Sequence, residues 1–99
     1  MVEIFKFSEV PLEGIYPEAE RVQWKDLVGK EIIVYEFTPI LGEFGEFFVI
    51  KFKFPGNDKW YSTSTGASIV KQKIRHQQKE GKLPSQGKVV KEGRHWNLV

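Results

Sequence analysis

The chain has no cysteine, one methionine and two histidines in 99 residues. Without Cys there can be no disulfide and no thiolate-bound zinc. The two histidines, His76 and His95, stand beside Arg75 and Arg94 and share no ligand spacing with a carboxylate, so no metal motif forms. The acidic residues are scattered, and no spacing among them argues for general acid–base work. A glycine-rich phosphate loop is also missing; Gly42 and Gly45 flank a strand and read as turn residues. No apolar run approaches the roughly 20 residues of a bilayer-spanning helix. The start, MVEIFKFSEV, lacks the layout of a secretory signal. These absences set the expectation of an intracellular protein that is not an enzyme, uses no cofactor or metal and does not contact a membrane.

What is present is aromatic and charged. Phe, Tyr and Trp make up 14% of the chain, and Asp, Glu, Lys and Arg 28%. That composition describes a globular protein, and the length describes one domain. A chain this short buries somewhat over about 60% of its unfolded surface, enough to fold alone without much margin. The net charge of +2 hides an asymmetry. Residues 1–58 carry six basic and eleven acidic groups, net −5, and residues 59–99 carry nine basic and two acidic, net +7. Such a field attracts a polyanion; it also describes a solvated helix face beside an acidic leader.

The order of elements is the strongest signal. Residues 30–37 read as a strand, 46–54 as a second and 59–63 as a third. Residues 68–80 read as a helix, and 88–91 and 95–98 as two final strands. Thr38 to Glu43 reads as a loop, with Pro39 and Gly42 as breakers, and Pro55-Gly56-Asn57-Asp58 as a hairpin turn. Thr65 or Ser68 suits the helix N-cap, and Ala67, Val70, Ile74 and Gln77 mark its buried side. Lys71, Arg75 and Lys79 form a basic stripe beside it. A five-stranded antiparallel barrel with its helix between strands three and four is the OB-fold, an all-β architecture that mostly binds single-stranded nucleic acid or oligosaccharide. Residues 1–26 stand apart as an N-terminal extension packing on a barrel of residues 27–99. Residues 2–7 hint at a short strand, Pro11, Gly14 and Pro17 interrupt regular structure, and residues 18–27 suit a helical turn that places Trp24 and Leu27 against the barrel. The extension covers a sheet edge, pairs with another subunit or gates the groove.

Alternation sorts the candidate ligand contacts. In the second strand Phe48, Ile50, Phe52 and Phe54 share one face and belong in the core, while Phe47, Val49, Lys51 and Lys53 share the other. In the first, Ile32 and Val34 oppose Ile33, Tyr35 and Phe37. In the third, Trp60 and Tyr61 must point to opposite faces, and register from the turn favours Trp60 outward. Rings stack on bases, and lysines beside them neutralise phosphates. The candidate set is therefore Tyr35, Phe37, Phe47, Lys51, Lys53, Lys59, Trp60 and Tyr61. Core packing is the competing reading for every ring; Phe47, whose strand-mates include Lys51 and Lys53, escapes it best.

Three segments carry a likeness: Leu27-Val28-Gly29-Lys30 opening the first strand; Tyr61-Ser62-Thr63-Ser64 with Ser68-Ile69-Val70 entering the helix; and Leu83-Pro84 ahead of two terminal strands. Over residues 27–98 the chain resembles the small OB-fold single-stranded DNA-binding proteins of phages and mobile elements. The resemblance implies binding of single-stranded DNA, or of RNA, across strands one to three, with little sequence preference, in replication, recombination or repair, in the cytoplasm or at the nucleoid. The ending Trp96-Asn97-Leu98-Val99 departs from the acidic tail with which bacterial single-stranded DNA-binding proteins recruit partners. A homodimer or a replication protein remains open as a partner. The alternative is an OB-fold interaction subunit of a larger assembly, its exposed rings buried against protein.

Overall fold

Apolar, β-branched and aromatic residues crowd the stretch between Glu31 and Lys53, and it forms the two longest strands. In a computed structural model, which describes residues 15–99, β2 (Glu31–Gly42) and β3 (Gly45–Lys53) make an antiparallel hairpin. The strand expected at residues 2–7, with Pro11 and Gly14, lies outside the described residues. Only Glu43 and Phe44 separate the two strands, and Gly45 takes φ +113°, a conformation that disfavours any side chain. The loop expected over residues 38–43 is therefore strand for most of its length, with Pro39 opposite Phe48. Beyond Val34, β2 has no second neighbour, because β5 pairs only with Glu31 to Val34. A sheet edge of this kind tolerates a residue with no N–H.

β4 (Tyr61–Thr65) pairs antiparallel with β3 and starts two residues later than expected. The helix α1 (Ser68–Lys79) follows, then β5 (Ser85–Glu92) and β6 (His95–Leu98). Its N-cap is Ala67, with no side-chain cap; Thr65 instead accepts a hydrogen bond from the Ala67 N–H. A sixth strand went unforeseen. β1 (Glu20–Arg21) runs parallel to β4, ahead of a 3-10 turn (Trp24–Leu27) that buries Trp24 and Leu27. The strands form one open, mixed sheet in the order β1-β4-β3-β2-β5-β6, not five strands, and β4 and β6 do not pair among the described residues.

The inner face holds the main core. Ile32 and Val34, Phe48, Ile50 and Phe52, Val70 and Ile74 of α1, and Val89 are buried there with Leu27 and Trp24. Burial of each large side chain stabilises the fold by about 1.5–3 kcal/mol. The basic stripe of α1 helps to hold the helix down: Lys71 donates to the Glu46 carbonyl at 2.7 Å, and Arg75 pairs with the Glu46 carboxylate at 2.8 Å. No described helix is long and apolar enough to cross a membrane.

Candidate functional site

A bulge in β2 decides which rings face outward. Val34 lies opposite Phe52 and Glu36 opposite Lys51, so Tyr35 is an extra residue in the ladder. An inserted residue reverses the facing of all that follow it. Ile32 and Val34 point into the core before the bulge, and Phe37 points into it afterwards, stacked on Phe48 with ring centres 4.6 Å apart. Phe37 is thus corrected from the outer face to the core, because strict alternation does not survive the insertion. Tyr61 leaves the candidate set on the side that register from the turn favoured for it: opposite Phe52, it packs on Phe52 and Phe54 at 5.8 and 4.9 Å.

Tyr35, Lys51, Lys53 and Trp60 come together on the outer face. Tyr35 meets Trp60 edge-on, with ring centres 4.9 Å apart at 81°. The Lys51 and Lys53 ammonium groups each lie 4.2 Å from the Trp60 ring centre, and that of Lys53 lies 5.4 Å from Tyr35. Cations at these distances are held by the negative face of the ring system. A base can stack on Trp60 only where a lysine chain moves aside, and the phosphates it brings give that lysine a new partner.

The rest of this face is covered. Tyr16 and Ala19 lie over Val49, which is fully buried, with Ile15, Ile40, Phe47 and Trp60 packed around them. Tyr16 is hydrogen-bonded to the Thr38 hydroxyl at 2.8 Å, and burial raises its pKa. Phe47 is on the expected face, yet half-buried in this second cluster. A Cβ built on Gly42 would come within 2.9 Å of its ring, so the glycine leaves room for the phenyl group.

Electrostatics on the outer face are nearly balanced. Lys51 Nζ lies 2.5 Å from Glu18 and 4.0 Å from Glu36, and its side chain is only 15% exposed. The hydrogen bond with Glu18 raises the Lys51 pKa and lowers that of Glu18. Lys59, on the approach to β4, lies at the sheet edge and not with Trp60: its ammonium group is 5.4 Å from the Tyr61 ring centre and pairs with Glu20 at 3.1 Å, which raises its pKa. Lys53 has no carboxylate partner among the described residues.

Sequence reasoning missed Tyr16 and Glu18, which reach the face by long-range packing that no local pattern encodes, and Glu36, which the bulge at Tyr35 sets opposite Lys51. It also missed Phe44, 99% exposed at the hairpin tip beside Leu41 at 65%. The spacing Gly42-x-x-Gly45 was the available signal, since it brackets a two-residue turn. No group of three metal-ligating side chains occurs among the described residues. A concavity of about 450 Å³ lies between α1, β5 and β6, lined by Val34, Ile74, Leu83 and Leu98 with Gln72 and Gln77. Val34, on the inner face of β2, is among its lining residues, and Tyr35 is not.

No protein-family model, curated protein or solved structure matches the chain. The functional argument therefore rests on the face itself.

Proposed function

We propose that the protein binds single-stranded nucleic acid, DNA in preference to RNA and with little sequence selectivity, across the outer face of β2, β3 and β4. The observation that carries this reading is Trp60 with two ammonium groups 4.2 Å from its ring centre and Tyr35 against its edge. Paired rings offer stacking to any base, at roughly 1–3 kcal/mol each, and neighbouring lysines offer charge to the phosphates. The pairing of β2 with β3 and β5, of β3 with β4 and of β5 with β6, with α1 between β4 and β5, supports an OB-like barrel left open and extended by β1. In that fold this surface is the ligand face. The likeness to phage and mobile-element single-stranded DNA-binding proteins points the same way, towards replication, recombination or repair inside the cell.

A second reading has its own observation. Leu41 and Phe44 form an exposed apolar hairpin tip, which suits a protein partner and the interaction-subunit alternative. Anisotropy of a labelled poly-pyrimidine strand separates the two. Nucleic-acid binding predicts a loss of about 1–3 kcal/mol in Trp60→Leu. Absence of binding by the wild-type protein at low salt would leave the protein-partner reading.

A further inference from the structure

The outer face carries its own anions. Glu18 and Glu20 lie on the segment that crosses it, and each holds a lysine: Glu18 holds Lys51 on the outer face at 2.5 Å, and Glu20 holds Lys59 at 3.1 Å at the β1–β4 edge, beside Tyr61, where a strand leaving the face would pass. The segment is anchored independently of these charges. Tyr16 and Ala19 pack on Val49, Tyr16 bonds Thr38, and the Glu20 and Val22 N–H groups donate to the Trp60 and Ser62 carbonyls. The two carboxylates are thereby fixed beside the ammonium groups without relying on the ion pairs to hold the chain. Both carboxylate side chains remain about half exposed, at 45% and 55%, so water and a competing anion can reach the pairs.

We infer that Glu18 and Glu20 act as built-in phosphate mimics, an autoinhibitory contact that a nucleic-acid strand must displace from Lys51 and Lys59 in order to bind. This rests on the proposed outer-face site and adds its regulation. The physical consequence is an exchange of partners. A strand entering the face gains two lysine–phosphate contacts but releases two carboxylates into water, so fewer counterions are liberated per contact than on an uncovered basic surface. The resting pairs lower affinity at all salt concentrations and flatten its salt dependence. They also discriminate against isolated phosphates: a single anion competes with a tethered carboxylate at high local concentration, whereas a polymer brings several phosphates and bases together.

The test is a set of salt titrations with a fluorescein-labelled oligo-dT on three full-length proteins. They are the wild type, Glu18→Gln/Glu20→Gln, and Glu80→Gln/Glu92→Gln. The last removes the same two charges from exposed positions away from the outer face. The expected result is roughly tenfold tighter binding by Glu18→Gln/Glu20→Gln at low salt, with a log–log slope steeper by about one. The Glu80→Gln/Glu92→Gln protein should shift by much less. Wild-type binding that Glu18→Gln/Glu20→Gln does not strengthen, or an equal gain in both double variants, overturns the inference and leaves the binding site standing. No binding by any of the three at low salt removes the site and the inference together. Thermal melting of each variant supplies the folded fraction, so that affinities are compared per folded molecule.

Discussion

Phe37 stacks on Phe48 across the β2–β3 hairpin, ring planes 28° apart, and it does so only because Tyr35 bulges out of the ladder two residues earlier. One insertion thus sends two neighbouring aromatics to opposite sides of the sheet. Phe37→Ala should destabilise the fold by about 2–4 kcal/mol through the space it leaves against Phe48. Its binding per folded molecule should be unchanged. Tyr35→Ala should do the reverse, costing little stability and weakening strand binding. Chemical denaturation and oligonucleotide titration on both variants check the pair, and equal binding losses would place both rings on one face.

Phe47 and Gly42 should behave as a unit. Gly42→Ala drives a methyl group into the Phe47 ring and should cost about 1–3 kcal/mol. Phe47→Ala should also destabilise, by about 1–2 kcal/mol, because the ring is half-buried beside Val49 and Tyr16. The double variant should be more stable than the sum of the two losses predicts, since the methyl group then occupies vacated space. Strict additivity in a denaturant cycle would show that the ring leaves Gly42 at no cost.

The Glu18–Lys51 contact should persist across neutral pH and fail at both extremes. The folded-state pKa of Glu18 is lowered, so its contribution is present above the usual carboxylate range and is lost as pH falls through the depressed value. That of Lys51 is raised, so its contribution is present below the usual lysine range and is lost as pH rises through the elevated value. Amide chemical shifts of Ala19 and Glu20 followed against pH should show an acid limb that Glu18→Gln abolishes. An acid limb that survives in that variant would assign the change to another carboxylate, with Glu36 the nearest to Lys51.

Much of this architecture was legible locally. The alternation Phe48/Ile50/Phe52 marked the core face of β3, and all three are fully buried. Val70 and Ile74 marked the inner side of α1. Lys51 and Lys53 were read on the outer face, and Trp60 was favoured there by register; the structure places all three together. What failed was whatever depends on a break in periodicity or on distant chain. The bulge at Tyr35 has no Gly or Pro to announce it, so Phe37 was given the wrong face. β1 is two residues long and exists only because β4 offers an edge to pair with. The cover of Tyr16 and Ala19 over Val49, and the pair of Glu18 with Lys51, join residues about 30 positions apart, and no local pattern reports such a contact.

The lysines of the outer face, together with those of the basic C-terminal half, should make binding salt-dependent. With about three to five phosphates neutralised, the log–log slope for a poly-pyrimidine strand should lie on the order of −2 to −3.5. Lys53→Gln should reduce its magnitude by about 0.7, the share of one phosphate contact on a single strand. An unchanged slope in that variant would remove Lys53 from the phosphate path.

The most direct measurement follows Trp60 itself. Trp24 and Trp96 pack together, with ring centres 5.9 Å apart, on the core side, whereas Trp60 is on the outer face. Tryptophan fluorescence of the wild-type protein and of Trp60→Leu is titrated at low salt with single-stranded DNA, single-stranded RNA and duplex of equal length. The account predicts saturable quenching by the single strands, strongest with DNA, weak quenching by the duplex, and loss of the single-strand signal in Trp60→Leu. Quenching that persists undiminished in Trp60→Leu, or no saturable change with any single strand, would contradict the outer face as a nucleic-acid site.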